Sequence, residues 1–250
     1  KAESQMTKAD PPKLRLRLPD EGGGNRGAAV FAALRTGLRE GVLQPGDRLR
    51  EEDVAEALSV SHTPVREAFN RLLGRKLVER SAGRGLVVRR LSPGDMFEVY
   101  AMREVLEGAA ARFAAQHRSE PELMMLRSLH DRFAALPSDA ALKAKEVNLR
   151  FHEAIHVAAR NRFLDAALAE LTDTLSLLGP TTFYQGGRSG QVMAEHAAIL
   201  DAIAARDPDR AEQTSRIHIR NALAARLDGF DGLGEMGLSG PARDGAEGPA

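Results

Sequence analysis

Apolar side chains recur every three or four positions over most of the chain, which is the spacing of amphipathic helices. In the amino-terminal part this pattern predicts a helix over Ala28–Arg39 and a shorter one over Glu51–Leu58. A third helix is expected to begin at Thr63-Pro64, because a proline at the first helical position gives up no hydrogen bond. Thr63 is then the expected N-cap, since its hydroxyl can accept from the backbone of the first turn.

The helical pattern stops near residue 77, where two short valine-containing runs follow. The runs 77–80 and 86–90 flank Ser81-Ala82-Gly83-Arg84-Gly85, and this arrangement predicts a β-hairpin. Three helices followed by a hairpin are typical of a winged helix-turn-helix domain. We therefore expect such a domain over 27–91, preceded by a flexible tail over 1–26.

A second region begins at Leu91-Ser92-Pro93-Gly94, where the strand-like pattern gives way to helical spacing again. Short connections separate six predicted helices, which begin near Ser92 and continue with 121–136, 140–159, 162–178, 189–205 and 208–227. Successive amphipathic helices with short connections favour an all-helical antiparallel bundle over 92–228. Residues 229–250 are glycine-rich and without periodicity, which predicts a disordered tail. The expected fold class is mainly α.

Composition excludes several classes of protein. The chain has no cysteine, so it has neither disulfides nor thiolate chemistry, as expected in a reducing cytoplasm. No apolar run approaches the roughly 18 residues of a membrane span, so no membrane partner is expected. The net charge is zero, yet residues 26–91 contain 13 Lys and Arg against 8 Asp and Glu, a balance of +5. A basic amino-terminal domain favours binding to phosphate groups.

The start of the third helix carries side chains that suit a DNA contact. Ser61, His62 and Thr63 can bind phosphate oxygens together with the free backbone N–H groups of a helix N-terminus. Arg66 can reach a phosphate or the O6 and N7 edge of guanine. Arg71 and Arg75 continue the basic side, but each of them could equally be a solvated surface charge.

Residues 41–88 resemble the GntR family of bacterial regulators. The resemblance rests on Pro45-Gly46-Asp47-Arg48-Leu49, on Glu51–Ala55 and on the segment Val60-Ser61-His62-Thr63-Pro64-Val65-Arg66-Glu67-Ala68. It implies binding to double-stranded operator DNA by the recognition helix and the wing. The candidate contacts are Ser61, His62, Thr63, Pro64, Arg66, Arg71, Arg84 and Gly85. The family usually has arginine where this chain has His62, which puts the preferred base at that position in question.

Three histidines, His152, His196 and His218, lie on three different predicted helices. Imidazoles from separate helices that point into a bundle can bind a divalent metal, although a lone histidine is more often a core or surface residue. Residues 92–228 also resemble the FCD ligand-binding domain of the FadR-type branch of the same family. That resemblance implies a metal site of one aspartate and three histidines, which maps to Asn148, His152, His196 and His218. Asn148 departs from the family pattern because its amide is neutral.

The resemblance implies a homodimeric regulator, more often a repressor, whose operators are near-palindromic and whose DNA binding responds to an effector in the bundle. With three neutral imidazoles and Asn148, a bound ion keeps its charge, which favours a small carboxylate effector. Arg103 is the candidate cation for that carboxylate, and a salt bridge to Glu107 is its alternative role. Zinc is the first candidate metal, with nickel and manganese next.

Two alternatives remain at this stage. The first is a metal-dependent hydrolase that uses His152, His196 and His218, with Glu195 as a base. No nucleophile motif and no HExxH arrangement supports it, and we assign no catalytic residues. The second is a regulator whose effector pocket contains no metal.

Overall fold

The computed structural model describes residues 14–19, 25–81, 85–179 and 181–235, with side chains to residue 228. The chain divides into two compact units. Unit 1 consists of the described residues among 1–96 and 169–180, and unit 2 consists of those among 97–168 and 181–250. The expected mainly α fold is confirmed.

Unit 1 contains the three predicted helices and the predicted hairpin. Its elements are α1 (Arg26–Glu40), β1 (Arg48–Leu49), α2 (Glu51–Leu58), α3 (His62–Gly74), β2 (Val78–Arg80) and β3 (Leu86–Val88). The strands form an antiparallel sheet in the order β1-β3-β2. Strand β1 was not predicted, because two residues are too short for a visible alternation.

The third helix begins two residues earlier than the sequence predicted. Ser61 is the N-cap, with extended backbone angles of φ −73° and ψ 168°, and His62 is the first helical residue. Thr63 is therefore not the cap, and Pro64 is the third helical residue. A proline is tolerated there for the same reason as at the first position, since none of the first N–H groups of a helix has a partner within the helix.

Gly85 has a structural reason to be glycine. Its φ is +120°, and a Cβ atom at this position would lie 2.7 Å from the carbonyl oxygen of Leu49. That close approach lets the second arm of the hairpin pair with β1, through Leu86 opposite Leu49. Arg84, predicted to contact DNA from the wing, lies outside the described residues.

The predicted amino-terminal tail contributes to the core of unit 1. Leu16 is buried and packs against Gly37 of α1. The contact is close enough that a Cβ atom added to Gly37 would lie 2.8 Å from Cδ2 of Leu16. It belongs to the same apolar cluster as Phe31 and Leu34 of α1. The prediction of a flexible tail therefore does not hold for residues 14–19.

Unit 2 is built from helices, as predicted. The helices after unit 1's sheet are α4 (Pro93–His117), α5 (Glu120–Ala134), α6 (Ala141–Ala158), α7 (Arg162–Leu175), α8 (Arg188–Ala204) and α9 (Pro208–Glu235). Two short 3-10 helices lie between α7 and α8, at Ser176–Leu178 and Thr182–Tyr184. Helix α9 continues past residue 228, where the disordered tail was predicted to begin. The core of unit 2 is formed by buried aliphatic side chains of α4 to α9 together with Phe151.

The last part of α7 belongs to unit 1, where it supplies a buried carboxylate. The Asp173 side chain is 2% exposed and accepts from Nη2 of Arg35, from Nε of Arg39 and from Nη1 of Arg75, which directly follows α3. Its oxygens lie 2.7 Å from Nε of Arg35, 2.9 Å from Nη2 of Arg39 and 3.0 Å from Nη1 of Arg75. These contacts join sequence positions 98 to 138 residues apart, so no local pattern could predict them.

The Asp173 cluster predicts a stability effect. Asp173→Asn removes the charge that three arginines share, and breaking a buried ion pair costs more than breaking a surface pair. Because the arginines are 24–34% exposed and can still be hydrated, we expect a loss of about 2 kcal/mol in the free energy of unfolding. Urea unfolding measures it. Glu170→Gln, an exposed carboxylate on the same helix, is the control and should leave the midpoint unchanged.

Candidate DNA-binding surface and metal centre

The start of α3 presents most of its predicted contact residues to solvent. Ser61, His62, Thr63 and Arg66 are exposed, whereas Pro64 is buried against the unit. No side chain caps the helix N-terminus. The first backbone N–H groups of α3 therefore have no partner in the helix or the cap, which is the arrangement that binds phosphate oxygens.

Arg66 is held at this surface by a carboxylate. Its Nε lies 2.7 Å from Oε2 of Glu51, the first residue of α2, and its side chain is 67% exposed. A bond through Nε fixes the plane of the guanidinium group while the group remains at the surface. The arrangement suits a guanidinium that meets a phosphate or a guanine edge.

Two other arginines at the end of α3 have roles within unit 1. The guanidinium of Arg71 lies 4.1 Å from the ring centre of Phe31, a cation–π contact. Arg75 is one of the arginines bound to Asp173. Arg71 is exposed and stays a predicted DNA contact. The ion pair of Arg75 with a buried carboxylate differs from both roles considered for it, a DNA contact and a solvated surface charge.

In unit 2 the structure brings the three predicted histidines together. His152 of α6, His196 of α8 and His218 of α9 are all buried, and a ring nitrogen of each lies within 4.8 Å of the others. Nε2 of His152 and Nε2 of His218 are 3.2 Å apart. His196 stacks on Phe151, with ring centres 4.2 Å apart. Three imidazoles from three helices thus converge on one point of the bundle.

Asn148 lies one turn before His152 on α6 and is partly buried. The helical spacing places it on the side of α6 that carries His152. Its role as a fourth ligand stays a prediction.

Two carboxylates orient two of the imidazoles, a role that the sequence analysis assigned to neither of them. Oε2 of Glu107 lies 3.0 Å from Nδ1 of His152, and Oε2 of Glu195 lies 2.6 Å from Nδ1 of His218. The same Oε2 atom of Glu107 also lies 3.0 Å from Nε2 of His156. Glu107 had been considered only as a partner of Arg103, and no local signal points from α4 to a histidine on α6.

The electrostatics of the cluster favour neutral imidazoles at His196 and His218. Burial lowers the pKa of His196 well below its usual value, and the nearby His218 and His152 lower it further. Burial, followed by His152, also lowers the pKa of His218 well below its usual value. For Glu107, burial opposes ionisation, but His152 and His156 outweigh it and hold the pKa of that carboxyl well below its usual value. An ionised Glu107 has no proton, so the Nδ1–H of His152 must be the donor.

The hydrogen bonds of the cluster leave ring nitrogens at its centre without a partner. If Nδ1–H of His152 and Nδ1–H of His218 both point to carboxylates, the lone pairs on both Nε2 atoms face each other across 3.2 Å. Both ring nitrogens of His196 are buried and have no hydrogen-bond partner among the described residues. The two facing lone pairs repel each other, and the unpaired buried imidazole of His196 costs free energy, unless a cation lies among the three rings. The donor set therefore fits a divalent metal ion that prefers imidazole nitrogen.

Two arginines lie beside the cluster. Nε of Arg103 is 3.4 Å from Oε1 of Glu107, so the alternative role considered for Arg103 is present. Arg188 is buried and bonds both oxygens of Glu195, which also accepts from Asn221 at 2.8 Å. Arg188 and Asn221 had no signal in the sequence. Glu195 is thus engaged by three donors from α8 and α9, an arrangement that suits a ligand-orienting carboxylate better than the base of a hydrolase.

No helix among the described residues is long and apolar enough to cross a membrane.

The comparisons with known proteins agree with the two-part organisation. The family model for bacterial regulatory proteins of the gntR family matches residues 26–88, and the FCD domain model matches residues 98–221. Among solved structures, McbR/YncC of E. coli covers 83% of this chain and 99% of its own, with a TM-score of 0.75. At 21% identity that likeness shows the fold alone.

Two relatives extend the match over most of both chains. The HTH-type transcriptional regulator BphR of Paraburkholderia xenovorans is 30% identical over 203 residues, which cover 78% of this chain and 83% of that protein. A protein of Paenarthrobacter nicotinovorans named as a probable D-xylose utilization operon transcriptional repressor is 30% identical over 205 residues, which cover 78% of this chain and 86% of that protein. The chain therefore belongs to the GntR family of bacterial regulatory proteins: it is a DNA-binding transcription regulator with an FCD domain, and not an enzyme.

Proposed function

We propose that this regulator is a repressor that binds operator DNA through the exposed start of α3 and responds to a small carboxylate effector held with a divalent metal at His152, His196 and His218. The observation that carries the metal part is the 3.2 Å approach of two Nε2 atoms whose rings are each oriented by a carboxylate. A metal bound there would act as a Lewis acid that ligates an effector oxygen. Zinc is the first candidate, with nickel and manganese next.

The buried charges support an acidic effector. Glu107 is paired with Arg103 and Glu195 with Arg188, so these four charges cancel. Imidazoles bind a metal in their neutral form and Asn148 carries no charge, so a divalent ion would add two uncompensated positive charges to a dry interior. A carboxylate offsets that charge, and Arg103 lies at the edge of the same network.

The DNA-binding part of the proposal rests on the surface of unit 1. Ser61, His62 and Thr63 surround an uncapped helix N-terminus, and Glu51 holds Arg66 beside them. We place the chain in the cytoplasm, where bacterial operators are found. Repression is supported by the relative from Paenarthrobacter nicotinovorans, which is named a repressor.

We also propose a homodimer. Helix α4 exposes three large apolar side chains, Phe97, Met102 and Val105, which a second copy could cover. A two-fold dimer would read near-palindromic half-sites.

Zinc binding tests the metal part. Chelator-stripped protein should bind one zinc ion per chain in isothermal titration, and His196→Gln should abolish this binding, since it removes the unpaired imidazole. His117→Gln, an exposed histidine of α4, should bind zinc like the wild type. Absence of zinc binding together with a shift of the melting temperature by small organic acids would instead support a metal-free effector pocket.

The acidic effector is tested by a thermal-shift screen of small carboxylic acids with and without zinc. We expect at least one acid to raise the melting temperature more with zinc than without it, and to change the mobility shift of the upstream DNA. Equal shifts with and without zinc would contradict a shared site.

His62→Arg tests the DNA surface. A neutral imidazole donates one hydrogen bond, whereas a guanidinium can donate two to guanine, so the substitution should change operator preference without lowering stability. Mobility shifts on operators varied one base at a time measure the effect. Gln116→Arg, which adds the same charge on exposed α4, should leave the ranking of operators unchanged.

The metal-free protein should lose stability in mild acid. The unfolded chain takes up protons on His196 and His218 below their ordinary pKa of 6.5, while the buried rings resist protonation. Above pH 6.5 these two histidines therefore do not reduce the free energy of unfolding. Below pH 6.5 the free energy of unfolding falls by up to about 1.4 kcal/mol per pH unit for each histidine. Urea unfolding in chelator from pH 7 to pH 5 measures the slope. His196→Gln should reduce it, whereas His62→Gln, at an exposed site, should not.

A further inference from the structure

Glu107 occupies an unusual position between the predicted metal ligands and the predicted effector cation. It is buried, with 4% of its surface exposed. Its Oε2 accepts from His152 and His156, while its Oε1 faces Nε of Arg103. One carboxylate thus joins an imidazole of the metal cluster to the guanidinium at which a carboxylate effector is expected.

The two sides of Glu107 are not equally strong. The bonds from His152 and His156 are both 3.0 Å long, whereas the contact from Arg103 is 3.4 Å. The Arg103 side chain also retains 14% exposure. Arg103 can therefore be drawn to another anion at a smaller cost than either histidine.

The charge of Glu107 affects the basicity of Nε2 of His152, the nitrogen that would bind the metal. With Nδ1–H donated to Glu107, Nε2 of His152 carries the lone pair and faces His218. A carboxylate that accepts from the second ring nitrogen fixes the tautomer and raises the basicity of the ligating nitrogen. A guanidinium on the other carboxylate oxygen withdraws part of that charge.

We propose that Arg103, Glu107 and His152 form a coupling chain, in which an anion that engages Arg103 releases the charge of Glu107 toward His152 and tightens metal binding. The proposal rests on the metal site put forward above. It makes Glu107 a positioning residue that touches neither the metal nor the effector. By linkage, the metal strengthens the binding of the acid by the same factor as the acid strengthens the binding of the metal.

The test is a double-mutant cycle on zinc affinity, measured by isothermal titration of the full-length, chelator-stripped protein. Glu107→Gln keeps the shape but removes the charge, and we expect it to weaken zinc binding by about 10- to 100-fold. Arg103→Gln should strengthen zinc binding, since it frees Glu107. In the double variant the gain from Arg103→Gln should largely disappear.

The cycle separates coupling through Glu107 from simple charge repulsion. If Arg103 only repels the ion through space, its substitution strengthens zinc binding equally with and without Glu107, and the proposal is overturned. Glu104→Gln is the matched control: it lies on the same helix and is paired with Arg220 at the surface, and it should leave zinc affinity unchanged. The absorption spectrum of the cobalt-substituted protein reports whether the ligand set is intact in each variant.

The outcomes also distinguish this proposal from the metal site on which it rests. If the wild type binds no zinc, the metal site and the coupling chain both fall. If the wild type binds zinc and Glu107→Gln binds it equally well, only the coupling chain falls. Should Glu107→Gln fail to fold, the cycle is run with Glu107→Asp, which keeps the charge but withdraws the carboxylate from His152. A gain from Arg103→Gln that stays undiminished in that background, or no gain at all in the wild-type background, overturns the coupling chain.

Discussion

Two buried carboxylates determine how the histidines of unit 2 meet. Glu107 and Glu195 each lie beside an Nδ1 atom, which turns both Nε2 atoms toward the same point. An imidazole without such a partner can ring-flip or change tautomer, and a cluster of free imidazoles would not present lone pairs to a common centre. The convergence of three helices brings the rings close, but the carboxylates decide which atoms face one another.

Carboxylates divide the arginines of unit 1 in a comparable way. Asp173 is buried and binds Arg35, Arg39 and Arg75, which removes much of the positive charge of α1 and α3 from any contact with DNA. Glu51 instead lies at the surface and binds Arg66 through Nε, so that this guanidinium is oriented but remains exposed. The net charge of +5 over residues 26–91 is therefore a poor measure of the charge available to DNA, because it counts both kinds of arginine and omits Asp173.

Local patterns predicted the helices and the hairpin, since spacing along a helix or strand fixes these features, whereas the three converging histidines were identified as one site through the FCD resemblance. Contacts between distant positions could not be predicted in that way. Asp173 on Arg35, Glu107 on His152 and Glu195 on His218 each join different helices, and many other charged residues of similar spacing lie at the surface. The same limit applies to Leu16 of the core. It lies in a short segment with polar neighbours, and nothing in that segment indicates that the leucine packs against α1.

In the proposed function, the neutral side chain of Asn148 couples the binding of the metal to the binding of the effector. The FCD resemblance places an aspartate at this position, and a carboxylate there would offset half of the charge of a divalent ion before any effector arrives. With asparagine, the ion and a carboxylate effector each supply the charge that the other lacks, so each binds better when the other is present. The unsatisfied nitrogens of His196 act in the same direction, because they make the empty centre costly without making the filled centre neutral. We therefore expect the proposed site to respond to metal and acid together more strongly than to either alone.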